Sequence, residues 1–179
     1  MLNNVGTQTL VSERLLYKKI SLEDVDSFYE LLIDKDVQKY LPGIPIYTGK
    51  EMAVNYISER LSAKYANDNF YDWGIYLDNT LIGRITVYKQ DEDRRMADLV
   101  WYLNPKYRGK GFMTEAAITI TKFLKEVGFE RIEAFANVEN IASQKVMQKA
   151  GFQFEGILRK YDANRDESLY DAAMYSITD

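Results

Sequence analysis

Histidine and cysteine are both absent from this 179-residue sequence. The lack of histidine removes the commonest general base, the commonest zinc ligand and every serine–histidine catalytic pair. The lack of cysteine excludes disulfides, thiolate metal sites and a cysteine nucleophile. Any proton transfer must therefore use carboxylates, tyrosine, lysine, serine or water, and we expect no metal site.

Long apolar runs are also missing, since no stretch reaches the ~18 consecutive apolar residues of a membrane-spanning helix. The first residues contain no basic segment followed by an apolar one, so we expect no secretion signal and a cytoplasmic location. The net charge of −4, from 23 basic and 27 acidic residues, does not indicate a nucleic-acid-binding surface. We therefore expect neither a nucleic acid nor a membrane as a partner.

The composition is sufficient for one hydrophobic core. Apolar residues make up 46% of the chain and aromatic residues 13%, which excludes general disorder. A chain of this length can fill one core well and is short for two. We expect a single domain over residues 1–179.

Hydrophobic periodicity predicts the element order β-α-α-β-β-β-α-β-α-β-β. Strands are expected at 10–20, 73–77, 81–88, 97–103, 132–136, 152–157 and 169–177. Helices are expected after Ser21, after Thr48, from near Thr114 to Gly128, and from Asn140 to Gly151. A run of neighbouring strands followed by a crossover helix is typical of an α+β domain, with a mixed sheet and helices on both faces.

The most informative segment is 107–116, Tyr-Arg-Gly-Lys-Gly-Phe-Met-Thr-Glu-Ala. Gly109 and Gly111 accept positive φ angles, so the backbone can turn its N–H groups inward. The helix that follows leaves its first N–H groups unpaired and contributes a positive dipole. Arg108 and Lys110 add two full charges at the same point. A strand, a cationic glycine loop and a helix together predict a phosphate-binding site.

The pattern Arg108-x-x-Gly111-x-Met113 on this turn resembles the acetyl-CoA diphosphate loop of the GNAT N-acetyltransferases. That family's usual pattern is Arg/Gln-x-x-Gly-x-Gly/Ala. Met113 departs from it, although methionine at this position is familiar in the RimJ/RimL branch that acetylates ribosomal proteins. The resemblance implies that the diphosphate binds the backbone N–H groups of this loop.

A second segment, Asn137-x-x-Asn140-x-x-Ser143 followed by Lys-Ala-Gly-Phe at 149–152, is similar to the family's other coenzyme-contacting segment. Similarities at 12–17 and 170–176 extend the match over about residues 12–177. The motifs are individually short, and their order and spacing make the match specific.

The resemblance implies a GNAT fold, an α/β/α sandwich whose fourth and fifth strands splay apart around acetyl-CoA as co-substrate. The implied function is acetyl transfer to a primary amine by direct attack in a ternary complex, and the favoured acceptor is a protein N-terminal amine of the ribosomal-protein type. The implied coenzyme contacts are Trp101, Tyr102, Leu103, Arg108, Gly109, Lys110, Gly111, Phe112, Met113, Thr114, Asn137, Asn140 and Ser143. The oligomeric state stays open, with a homodimer as one option.

Two residues are candidates for catalysis. Asp98 lies in the strand before the loop, roughly where many GNAT enzymes carry a glutamate, and could act as a base through water. Its alternative role is to begin a strand beside Arg94 and Arg95.

Many relatives place a tyrosine acid four residues after the position of Ser143, where this chain has Met147. Ser143 could hydrogen-bond the thiolate, as a serine does in the similar branch, or could satisfy a backbone N–H group in the first turn of a helix.

Other functions remain open at this level. Small amines such as polyamines, amino acids or aminoglycosides are alternative acceptors, and a non-catalytic acyl-CoA-binding module could share the fold. A dinucleotide-binding enzyme is disfavoured, because Gly109-x-Gly111-x-x-Thr114 lacks the third glycine and does not open a βαβ unit. A nucleotide-binding P-loop is excluded, because its lysine-containing pattern does not occur.

Overall fold

In the computed structural model, residues 2–178 are described, and eight strands among them form one mixed sheet. The strands are β1 (Leu10–Val11), β2 (Leu16–Lys18), β3 (Asp72–Leu77), β4 (Thr80–Asp91), β5 (Met96–Leu103), β6 (Arg131–Asn137), β7 (Gln153–Ala163) and β8 (Leu169–Ile177). Their order across the sheet is β1-β2-β3-β4-β5-β6-β8-β7. The predicted mixed sheet is confirmed, while the predicted domain limits, Met1 and Asp179, lie outside the described residues.

Helices cover both faces of this sheet. They are α1 (Val25–Leu32), α2 (Lys35–Tyr40), α3 (Lys50–Asn55), α4 (Ser62–Lys64), α5 (Phe112–Val127) and α6 (Ile141–Lys149), with a π-helical turn at Tyr56–Leu61 between α3 and α4. Buried side chains of α5 and α6 pack in one apolar cluster, and those of α1 and α3 pack in another. No helix among residues 2–178 combines the length and the apolar character needed to cross a membrane.

The N-terminal part of the sheet differs from the prediction of one strand at 10–20. The N–H group of Ser12 donates to the carbonyl of Leu15 at 2.9 Å, which closes a turn and splits the segment into the antiparallel pair β1 and β2. Helix α2 was not predicted. It begins where the Asp34 carboxylate accepts the N–H group of Val37 at 3.1 Å, an N-cap that satisfies one free donor of a short helix.

A gap opens between β5 and β6, the two strands that the resemblance expected to splay. They pair in parallel only from Met96 opposite Arg131 to Asp98 opposite Glu133. Beyond Asp98 the strands diverge, although β5 continues to Leu103. The edge of β5 at 99–103 that faces β6 therefore has free backbone donors and acceptors, as the edge of a sheet does.

Candidate active site

The loop between β5 and α5 presents a row of free backbone donors. Gly109 and Gly111 adopt φ angles of 76° and 82°, in the left-handed region that favours glycine. The first backbone hydrogen bond of α5 joins the N–H group of Glu115 to the carbonyl of Gly111. Among the described residues, no acceptor pairs with the backbone N–H groups at 109–114. This geometry suits an anion at the start of a helix.

A cavity of about 560 Å³ opens beside this loop and extends between β5, α2 and α6. Eleven of the residues proposed to contact the coenzyme line it: Trp101, Tyr102, Leu103, Arg108, Gly109, Gly111, Phe112, Met113, Thr114, Asn140 and Ser143. The structure therefore brings together the two segments that were proposed to contact the coenzyme, although 26 positions separate Thr114 from Asn140 in the sequence. The volume is within the range of sites for small molecules and cofactors.

Three predicted residues do not line this cavity. The Asn137 side chain accepts the N–H group of Glu139 at 2.9 Å and so holds the turn after β6. The ammonium group of Lys110 lies 5.6 Å from the centre of the Tyr107 ring. Asp98 is buried where β5 and β6 begin to diverge. Coenzyme contact by Asn137 and Lys110 stays a prediction.

Arg108 lines the cavity, but its charge is already paired. Its guanidinium contacts Asp34 at 2.5 Å and Asp36 at the start of α2, and its Nε donates to the carbonyl of Leu103 at 3.0 Å. The side chain therefore ties the end of β5 to α2. Its contribution to a phosphate site is smaller than that of a free cation, because two carboxylates neutralise it.

Two further cations line the site, although the sequence did not lead us to propose them as coenzyme contacts. Lys145 and Lys149 line the cavity from α6, where their spacing of four residues places them on one helix face. That spacing is a signal that the sequence contains.

Arg14 supports the loop from its outer side. Its guanidinium donates to the Glu115 carboxylate at 2.7 Å and to the carbonyl of Lys110 at 3.0 Å, and it lies 4.6 Å from the centre of the Phe112 ring. This contact joins residues about 100 positions apart, so no local pattern could reveal it.

Comparison with known proteins decides the family. A sequence model of the acetyltransferase (GNAT) domain matches residues 14–153. The chain belongs to the GNAT acetyltransferase family. It is 32% identical over 171 residues to the uncharacterized N-acetyltransferase YnaD of Bacillus subtilis, with 94% of this chain and 95% of that protein covered.

Solved structures agree with this family. A GNAT-family acetyltransferase from Bacillus anthracis superposes with a TM-score of 0.81 at 31% identity, covering 96% of this chain and 98% of that one. RimL, a ribosomal L7/L12 α-N-protein acetyltransferase in complex with coenzyme A, has a TM-score of 0.81 at 17% identity, over 96% and 98% of the two chains. The RimL likeness shows a shared fold. The chain is thus an acetyl-CoA-dependent N-acetyltransferase of the GNAT type, as the sequence predicted.

Ser143, one of the two candidates for catalysis, lies at the beginning of α6 beside the cavity. Its hydroxyl is free in the part of the chain that the structure describes. Asn140 caps the helix, because its side-chain oxygen accepts the N–H group of Ser143 at 3.1 Å. Among residues 2–178 the Ser143 hydroxyl has no hydrogen-bond partner, so it does not serve as the helix cap. Met147 is fully buried in the core. Ser143 therefore offers the cavity a hydroxyl that the fold does not use.

The other catalytic candidate in this GNAT domain, Asp98, has an unusual environment. Burial raises the pKa of its carboxyl to about 7, with a further contribution from the negative charge of Glu133. Its Oδ1 is buried without a hydrogen-bond partner among the described residues. A buried carboxyl that titrates near neutral pH can accept a proton under physiological conditions.

Proposed function

We propose that this enzyme acetylates the N-terminal amine of a protein, of the ribosomal-protein type, by direct attack within a ternary complex with acetyl-CoA. The observation that carries the proposal is the row of free N–H groups at 109–114, which meets the open edge of β5 in one cavity. The diphosphate binds the N–H row in this arrangement, and the pantetheine arm follows the edge at 99–103. The shared fold with RimL supports the protein acceptor.

The reaction forms one bond and breaks another. The neutral amine attacks the thioester carbonyl carbon, the C–S bond breaks, and the coenzyme leaves as a thiolate that takes up a proton, while the amine nitrogen loses one. An α-amino group has a pKa of about 8, so roughly a tenth is neutral at pH 7, whereas a lysine amine near 10.4 is neutral at about one part in 2,500. A site without histidine is therefore better suited to an N-terminal amine.

Asp98 and Ser143 take the two proton roles in this proposal. Asp98 accepts the amine proton through a water molecule, because its carboxyl titrates near pH 7 at the divergence of β5 and β6. Ser143 hydrogen-bonds the departing thiolate or the thioester, because its hydroxyl lines the cavity and is otherwise unpaired.

Ser143→Ala is expected to lower kcat about ten- to hundredfold and to change the KM for acetyl-CoA by less than a factor of two, since a hydrogen bond to a charged group contributes about 1.5–3 kcal/mol. Steady-state kinetics with a peptide acceptor measures both constants. A raised KM with unchanged kcat would instead make Ser143 a binding residue. Ser58→Ala is the matched control. It removes an exposed hydroxyl that donates to the carbonyl of Val54 at 2.9 Å, where α3 meets the π-helical turn.

Arg14→Ala is expected to weaken acetyl-CoA binding about tenfold, because it releases the Lys110 carbonyl and leaves the charge of Glu115 unpaired beside the diphosphate loop. Titration calorimetry measures the Kd. Adding Glu115→Gln to this variant should restore most of the affinity, and an unchanged Kd for Arg14→Ala alone would contradict the role.

Detection of free thiol tests the proposed function. The purified enzyme is incubated with acetyl-CoA and peptides with free or blocked N-termini, polyamines or aminoglycosides. Thiol release with free N-termini, and much less with the other amines, is the expected result. Tight acetyl-CoA binding without thiol release from any amine would contradict the proposal. A cytoplasmic location stays a prediction, and a homodimer stays one option for the oligomeric state.

A further inference from the structure

A second cavity of about 570 Å³ lies on the face of the sheet that carries α1 and α3. Aromatic and aliphatic residues form about half of its lining, and the polar residues that line it are Asn55, Tyr56, Glu59, Arg60 and Arg84. None of the predicted coenzyme contacts lines this space. A second cavity of this size suits the other substrate of a two-substrate enzyme.

The polar centre of this cavity is a buried guanidinium. Arg84, on β4, is only 9% exposed, and its Nε donates to both oxygens of the fully buried Asp72 at 3.0 Å. One terminal nitrogen donates to the Tyr56 hydroxyl at 2.9 Å, and the other donates to the Tyr102 hydroxyl at 3.2 Å. The attraction of Asp72 outweighs burial and raises the pKa of Arg84, so the guanidinium stays charged.

Both phenols keep a hydrogen available for a further acceptor. A guanidinium cannot accept a hydrogen bond, so the hydroxyls of Tyr56 and Tyr102 must both be acceptors toward Arg84. Within residues 2–178, neither hydroxyl has a group to which it donates. Two other phenols on this face behave differently, since Tyr65 donates to Asp72 at 3.3 Å and Tyr76 donates to Asp24 at 2.7 Å.

The position of these phenols connects the two cavities. Tyr102 lines the coenzyme cavity, and Tyr56 and Arg84 line the second one. Their hydrogen-bonded chain therefore links a residue that lines the first cavity to two residues that line the second. Tyr56 also begins the π-helical turn, an irregularity that is frequent at functional sites.

We propose that the hydroxyls of Tyr56 and Tyr102, held in place by Arg84, bind an oxygen atom adjacent to the acceptor's amine. That oxygen is the first carbonyl of a peptide or the carboxylate of a free amino acid, so the acceptor is an α-amino compound rather than a polyamine. This inference rests on the proposed function and specifies the acceptor chemistry of the same site. A polyamine has no such oxygen. The second cavity also offers little negative charge to a polycation, because Glu59 is the only carboxylate among the described residues that line it.

The experiment compares two acceptors that differ in that oxygen. Leucinamide and 3-methylbutylamine share the side chain, but only leucinamide carries the carbonyl; leucine and a leucyl dipeptide distinguish a free amino acid from a peptide. Thiol release is measured for the wild type, Tyr56→Phe and a control, Tyr29→Phe, whose ring packs on the same apolar cluster without lining either cavity. Rates are expressed per concentration of neutral amine, because the pKa values of the two amines differ.

We expect the wild-type kcat/KM for leucinamide to exceed that for 3-methylbutylamine at least about tenfold, and Tyr56→Phe to lower only the leucinamide value, by about three- to tenfold. Equal wild-type values, or a Tyr56→Phe effect that is absent or the same for both amines, would overturn the inference. The wild-type comparison decides the matter even if the variant does not fold. Thiol release from no amine at all, with acetyl-CoA still bound by calorimetry, would instead overturn the proposed function.

Discussion

Gly111→Asp is expected to weaken acetyl-CoA binding at least about a hundredfold, since a carboxylate within about 5 Å of the diphosphate costs about 3 kcal/mol for each phosphate charge near a protein surface. The position has a φ of 82°, and an added Cβ would meet only the Arg14 guanidinium at 3.5 Å, an ordinary contact. The left-handed φ costs a residue other than glycine about 1–2 kcal/mol, and aspartate is among the residues that visit this region, so the fold should persist while binding is lost. Titration calorimetry with acetyl-CoA measures the effect.

Gly151→Asp is the matched control for this substitution. Its φ is 92° and no atom lies within 4 Å of an added Cβ, so it introduces the same charge on a similarly left-handed backbone outside the coenzyme cavity. We expect its Kd for acetyl-CoA to stay within about twofold of the wild type. Equal losses in both variants would attribute the effect to the backbone rather than to the phosphate site. Charge reversal at Arg108 is a less clean test, because it would place a third carboxylate beside Asp34 and Asp36.

Asp98→Asn is expected to lower kcat/KM for a peptide acceptor about a hundredfold, within the usual range for loss of a general base. In the wild type, kcat/KM expressed per concentration of neutral amine should rise with pH through about 7 as the Asp98 carboxyl loses its proton. That rise should disappear in Asp98→Asn. Glu133→Gln should keep the maximal rate and move the rise to lower pH, because it removes a negative charge that raises the Asp98 pKa. A full-rate Asp98→Asn enzyme would exclude Asp98 as the base.

Asp98→Asn should also stabilise the protein at alkaline pH. The Asp98 pKa is about 7 in the folded state, above its usual 3.8, so its contribution to stability is fully present below pH 3.8 and is lost as the pH rises through about 7. The total loss is on the order of 4 kcal/mol. Urea unfolding at pH 5 and pH 8.5 should show that the advantage of Asp98→Asn over the wild type grows between these values. A pH-independent difference would contradict the buried, ionised carboxylate.

Features set by short stretches of chain could be predicted from the sequence. The two glycines with charged neighbours before an apolar helix pattern predicted the loop at 108–114, and the structure gives Gly109 and Gly111 the left-handed φ angles that the argument required. Asn140 acts as the N-cap of α6, as its residue type and position indicated. These features depend on local backbone preferences, which the sequence shows directly.

Features set by distant contacts could not be predicted. Arg108 was expected to face phosphate as a free cation, but 72 and 74 positions separate it from the aspartates that neutralise it. The hydrogen bonds from Arg84 to Tyr56 and Tyr102 join β4 to the π-helical turn and to β5. These contacts form only when the sheet and its helices assemble.

A crystal structure of the enzyme with acetyl-CoA is the most direct test of the central claim, that the loop and the open edge of β5 together hold the coenzyme. The account predicts diphosphate oxygens about 3 Å from backbone nitrogens at 109–114, and the thioester between the diverging strands near Ser143. A complex in which the coenzyme binds elsewhere, with this loop free of phosphate and the gap filled by side chains, would contradict it.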